Sequence, residues 1–121
     1  GVRSLQVVNH THPEYAVSLA DYLLLTQANA LLLRGTEGEP VADARRQPRF
    51  DVFLHGQAAA QLCRAPEDGV LTQLPDLPAS HSARDTAAYL QAISQGRQTV
   101  PTSIAAQTDC LVASLNALAT L

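Results

Sequence analysis

The string Ala30-Leu31-Leu32-Leu33-Arg34-Gly35-Thr36-Glu37-Gly38-Glu39-Pro40 constrains this chain more than any other part of it. Its apolar run has no polar alternation, as expected of a strand buried on both faces in the manner of a parallel sheet. The run empties into a loop of two glycines, two glutamates and a proline. In open α/β sheets, ligands sit just beyond the carboxyl ends of strands, where loops of this kind project. Gly35 and Gly38 allow the backbone to approach a ligand closely. The same residues also suit an ordinary surface turn with solvated carboxylates.

A chain of 121 residues has room for one domain and one modest core. A hydrophobic fraction of 46% and a mean hydropathy near zero are those expected of a soluble globular protein. No apolar run approaches the ~20 residues of a membrane helix, so no membrane partner is expected. The chain opens on Gly1-Val2-Arg3, without methionine or a signal-like segment, and passes almost at once into strand residues. The expectation is a piece of a longer protein. All eight basic residues are arginine, and the net charge of -3 argues against a uniformly basic nucleic-acid surface. Arg34, Arg45, Arg46 and Arg49 nevertheless lie within sixteen positions. Cys63 and Cys110 have neither metal nor redox spacing and read as two buried thiols in a reduced, cytoplasmic setting.

Residues 5–9 read as a first strand. A Thr-x-x-Glu box of Thr11 and Glu14, with Pro13 in the first turn, opens a helix to about residue 26. Ala16, Leu19, Ala20 and Leu23 form its inward stripe, and a strand over 28–33 completes a βαβ unit with a right-handed crossover. Residues 41–48 are polar and without period, 49–54 resume strand character, and 57–64 are ambiguous. A short edge strand over 70–74 and a stiff connection over 75–78 follow. Ser82 and Asp85 form a capping box for a helix that carries Ala87, Leu90 and Ile93 before Gly96 stops it. Pro101 opens the last helix, in which Ile104, Thr108, Leu111, Leu115 and Leu118 follow a near-heptad spacing. That stripe suits a helix docked on its own core or a dimer seam. The fold class is α/β, a helix-covered sheet closed by two helices.

Three strings carry a resemblance to a known family: Val8-Asn9-His10-Thr11-His12-Pro13-Glu14-Tyr15, the stretch from Leu31 to Pro40, and Arg45-Arg46-Gln47-Pro48-Arg49. With the tail from Asp85 through Gly96 to Gln107, they resemble the C-terminal part of the anthranilate phosphoribosyltransferase-like glycosyltransferases, which share their fold with pyrimidine nucleoside phosphorylases. The match is nearest to a divergent branch described as glycosyl transferase family or DNA-binding proteins. The resemblance covers nearly all of residues 1–121. It implies that these residues are the C-terminal part of the α/β glycosyltransferase domain of a homodimeric parent. The N-terminal helical domain and the glycine-rich loop that binds phosphoribosyl pyrophosphate do not occur in this sequence, so the chain alone is expected to be inactive.

The family's enzymes bind magnesium through an Asp-Glu pair in the loop that follows the strand matching 28–33. Here Gly35, Glu37 and Gly38 match that loop, with Gly35, Thr36 and Gly38 as its ligand or phosphate segment, but the pair aligns with Pro40-Val41, which offer no side-chain oxygen. Glu37 and Glu39 are the carboxylates left to support magnesium, a hard cation that takes oxygen ligands. This departure favours the divergent branch over tryptophan-pathway chemistry. The leading expectation is a phosphoribosyltransferase-like glycosyltransferase, and the alternative is a non-enzymatic protein that binds single-stranded nucleic acid through Arg45, Arg46 and Arg49. Guanidinium groups grip phosphate bidentately; the same three arginines also suit a solvated loop paired with Asp43 and Asp51. His10 and His12 sit where a helix begins and read as capping or surface residues rather than metal ligands.

Overall fold

Alternation along two apolar strands sends the residues of this chain to opposite sides of one sheet. A computed structural model describes residues 4–35, 39–67 and 76–121. In chain order it contains β1 (Gln6–His10), α1 (Glu14–Leu25), β2 (Ala30–Arg34), β3 (Phe50–Leu54), β4 (Gln57–Ala58), a 3-10 turn (Ala60–Leu62), α2 (Ala83–Ser94) and α3 (Thr102–Ala119). The strands lie in the order β1-β2-β3-β4. β1 and β2 are parallel, with Val8 beside Leu32 and His10 beside Arg34. The strand–helix–strand reading of the first thirty residues therefore holds, and the protein is a mixed α/β domain.

The parallel environment expected around β2 is half present, because β3 runs antiparallel to it. A parallel return needs a long crossover, usually a helix. The described part of the connection between β2 and β3 contains no helix, and the chain reverses. The expected edge strand over 70–74 lies outside the described residues. The ambiguous segment 57–64 resolves into β4 and the 3-10 turn.

Leu31 and Leu33 of β2 and Phe50, Val52 and Leu54 of β3 face one side, where they pack with Leu118 and, more loosely, Ala106 and Leu111 of α3. Ala30, Leu32 and Phe53 face the other side and pack with Leu19, Ala20 and Leu23 of α1. One helix thus covers each face. Cys63 and Cys110 both lie against the α3 side and are half-buried rather than fully enclosed. Burial pushes the Cys110 thiol above its ordinary value, opposed by a hydrogen bond with Ser114 and reinforced by the nearby Cys63.

The helix starts differ from the expected boxes in instructive ways. α1 begins two residues later than a Thr11 cap requires, with Pro13 at the cap position and no side-chain bond. Its first free N–H groups turn to backbone instead, Tyr15 donating to His12 O and Ala16 to Pro13 O, both at 3.0 Å. Thr11 meets the His12 ring. In α2 the Ser82 hydroxyl does accept from the Asp85 N–H at 3.1 Å. The return bond runs through Ser80, whose hydroxyl donates to the Asp85 carboxylate at 2.6 Å and accepts from the Ser82 N–H at 3.2 Å. Gly96, at φ +74, ends the helix as expected. α2 buries no residue fully, and Ala87 and Leu90 of its expected stripe are exposed. Because little else holds this helix, Ser82→Ala should remove about 1 kcal/mol of local stability. Hydrogen exchange should quicken at the first turn of α2 while β2 and β3 are unaffected; equal acceleration in the strands would show that α2 is integral to the core.

In α3 the residues fully buried are Ser103, Gln107, Ser114 and Leu118. Ile104 and Leu111 are half-buried, while Thr108 and Leu115 of the expected heptad stripe are exposed. The buried polar groups are satisfied by backbone: the Ser114 hydroxyl donates to Cys110 O at 2.7 Å. No described helix is long and apolar enough to cross a membrane.

Candidate functional site

The end of the sheet where β1 and β2 finish is also where β3 begins. Strand parity decides which side chains appear there. His10 pairs with Arg34 on the α1 face. Leu33 pairs with Phe50, so the next residues outward, Arg34 and Arg49, emerge beside each other on that same face. His10, Arg34 and Arg49 thus form a row across the sheet end. All three line one open groove of about 1180 Å³. Leu32 and Phe53 lie at its base, the first half of α1 forms one side through Pro13, Ala16, Val17 and Ala20, and Arg45 and Arg46 border the other.

The loop carrying Arg45 and Arg46 is held from behind. Gln107, buried on α3, accepts from the Ala42 N–H at 2.8 Å and donates to Pro40 O at 2.9 Å. Ser103, also on α3, donates to Asp43 O at 2.6 Å. Asp43 then organises the arginines: its carboxylate accepts from the Arg45 N–H at 2.9 Å and lies 3.7 Å from the guanidinium groups of both Arg45 and Arg46. Arg49 pairs with Asp51 at 3.0 Å. The solvated ion pairs read from the sequence are therefore present. They are also exchangeable, since exposed pairs of this kind contribute little. Two carboxylates serve three arginines in this loop, and among the described residues no ion pair engages Arg34. The groove thus combines an apolar base with a cationic rim, which suits a ligand having both a flat apolar part and phosphate groups.

Gly35 ends β2 where no side chain fits. A Cβ there would collide with the Glu39 carbonyl oxygen and come within 2.8 Å of the Asn9 side chain. Its N–H donates to His10 O at 3.0 Å, so the row at the sheet end is tied together by backbone. Thr36, Glu37 and Gly38 lie outside the described residues. Glu39 is exposed, and the neighbouring Pro40 carbonyl is already engaged by Gln107. Among the described residues this loop offers a metal ion the Glu39 carboxylate, within the one or two that magnesium takes alongside substrate phosphates, and no group of three potential ligands occurs among them. His10 and His12 do not converge on a common ion: His10 Nδ1 donates to His12 O at 3.1 Å, and the His12 ring packs edge-on against Tyr15.

The structure therefore brings Arg45, Arg46 and Arg49 together and adds His10 and Arg34, which the sequence patterns did not single out as site residues. The signal that finds them is parity: even-numbered residues of β1 and β2 share the α1 face, so His10 and Arg34 follow Val8 and Leu32 outward.

No family model matches this chain. It is similar to the uncharacterized protein YbiB of Escherichia coli strain K12, with 25% identity over 118 residues, covering 98% of this chain and 36% of that protein. The chain thus spans about a third of the length of the curated relative it matches.

Proposed function

We propose that the groove binds single-stranded nucleic acid without sequence preference, the arginines gripping phosphates and the apolar base receiving sugar and base surfaces. The chain is read as the C-terminal part of a phosphoribosyltransferase-like α/β protein that keeps the fold for binding. The observation that carries this is the row of His10, Arg34 and Arg49 at the sheet end, bordered by Arg45 and Arg46 above an apolar floor. A strand of nucleic acid fits such an open surface, and phosphate contacts supply affinity without reading sequence. The test is fluorescence anisotropy with labelled oligothymidylate over a salt series. Four engaged guanidinium groups should give a log–log slope of about -3, since each phosphate on a single strand contributes about 0.7. Absence of binding at low salt, or a slope near zero, rejects the reading.

Phosphoribosyl transfer is the second reading, favoured by the opening of the groove at the carboxyl ends of the parallel pair β1 and β2. There Glu37 and Glu39 would face magnesium, and the parent, a homodimer by its family resemblance, would supply the remaining phosphate loop. Calorimetric titration with phosphoribosyl pyrophosphate and magnesium separates the two. Heat that disappears in the Glu37→Ala, Glu39→Ala double variant supports transfer; heat unaffected by it removes both glutamates from the site.

A further inference from the structure

We infer that the nucleic-acid track does not end at Arg49 but continues around the start of β3 onto a second phosphate subsite built by Arg64. This rests on the groove being a nucleic-acid site. A smaller depression of about 240 Å³ adjoins the groove, and Arg49, Asp51 and Pro66 line both. Phe50, Cys63, Arg64 and Ala65 complete its walls. The depression therefore straddles the first residues of β3 and joins the α1 side of the sheet to the segment beyond the 3-10 turn.

Backbone geometry places Arg64 there firmly. Phe50 and Arg64 exchange both of their backbone hydrogen bonds, Phe50 N to Arg64 O at 3.0 Å and Arg64 N to Phe50 O at 2.9 Å. Arg49 precedes Phe50 and Arg64 pairs with Phe50, so the two arginines leave neighbouring backbone positions towards opposite faces of the sheet edge, and both line the depression at that edge. Each is accompanied by an exchangeable carboxylate, Asp51 at 3.0 Å for Arg49 and Glu67 at 3.8 Å for Arg64. A phosphodiester reaching this depression meets both guanidinium groups and displaces the half-buried Asp51 from one and the exposed Glu67 from the other. Glu67 also lines the main groove and its N–H donates to Gln47 O at 3.1 Å, so it marks the boundary between the two compartments. The ligand chemistry is a chain of phosphodiesters that passes from Arg34 by way of Arg49 to Arg64.

The test compares Arg64→Ala, Arg64→Lys and Glu67→Gln with the unaltered chain on oligothymidylates of about 4 and about 12 nucleotides, lengths that bracket common single-strand site sizes. For the longer strand, Arg64→Ala should cost about five- to tenfold in affinity at about 50 mM salt and lower the log–log slope by about 0.7, while the shorter strand, which can sit wholly within the main groove, loses less. Arg64→Lys should keep the slope, and Glu67→Gln should tighten the longer strand. Equal behaviour of Arg64→Ala and the unaltered chain on both lengths overturns the extension, as does equal weakening on both. An Arg34→Ala, Arg45→Ala, Arg46→Ala triple variant distinguishes the underlying reading: if it changes neither length, the groove itself is not the binding surface.

Discussion

Replacement of Arg45, Arg46 and Arg49 together by alanine should weaken oligothymidylate binding by roughly a hundredfold or more at about 50 mM salt and flatten the log–log salt slope by about 2 units. The two effects have one cause. Each guanidinium that neutralises a phosphate releases a counterion, and the slope counts those releases. The fold should survive, because the ion pairs lost are the exposed ones with Asp43 and Asp51, which contribute little in water. Asp43 also keeps its bond to the backbone N–H of residue 45 and its carbonyl bond to Ser103, so the loop has its anchors without the arginine side chains. A slightly lower Tm with the slope unchanged would assign the three arginines to a structural cluster. Unchanged affinity and slope would remove this loop from the binding surface.

Local chemistry made part of this site legible in the sequence. The strands around Val8, Leu32 and Val52 follow from apolar runs bounded by polar turns, and the clustering of arginines between positions 34 and 49 is visible without coordinates. The antiparallel turn of β3 was also within reach, since no helical period lies between Pro40 and Pro48 to carry a crossover. What was not legible is the buried face of α3. Hydropathy points to Thr108 and Leu115, yet those are exposed, while Ser103, Gln107 and Ser114 are enclosed. A periodicity of apolar residues has no means of finding a face whose polar groups are satisfied by backbone, Ser103 and Gln107 by residues some sixty positions away and Ser114 by Cys110 one turn back. The Thr11 box failed for a related reason: backbone carbonyls of His12 and Pro13 served the helix start before the side chain was needed.

That hidden face leads to the largest expected effect on stability. Gln107→Leu keeps the size of the side chain but removes both its acceptor and its donor. The Ala42 N–H, in a residue only 2% exposed, then loses its partner at 2.8 Å with no solvent to replace it. Pro40 is exposed, so its carbonyl can turn to water and costs less. A buried unsatisfied group costs about 1–3 kcal/mol, which places the variant near 2–3 kcal/mol of destabilisation and roughly 8–12 °C of Tm for a chain of this size. Gln107→Glu separates the two bonds, because a carboxylate still accepts from Ala42 but cannot donate to Pro40. At neutral pH its buried charge faces the Pro40 carbonyl and should destabilise the chain at least as much as Gln107→Leu, with part of the loss recovered when the carboxyl is protonated at low pH. The consequence for binding follows from the path through Asp43: releasing residues 40–43 from α3 frees the base on which Arg45 and Arg46 are set. Combining Gln107→Leu with the triple arginine replacement should therefore lose less than the sum of the separate losses in affinity. Additive losses would mean that Gln107 supports the fold without placing the arginines, and a Tm equal to that of the native chain would mean that the Ala42 N–H finds another partner.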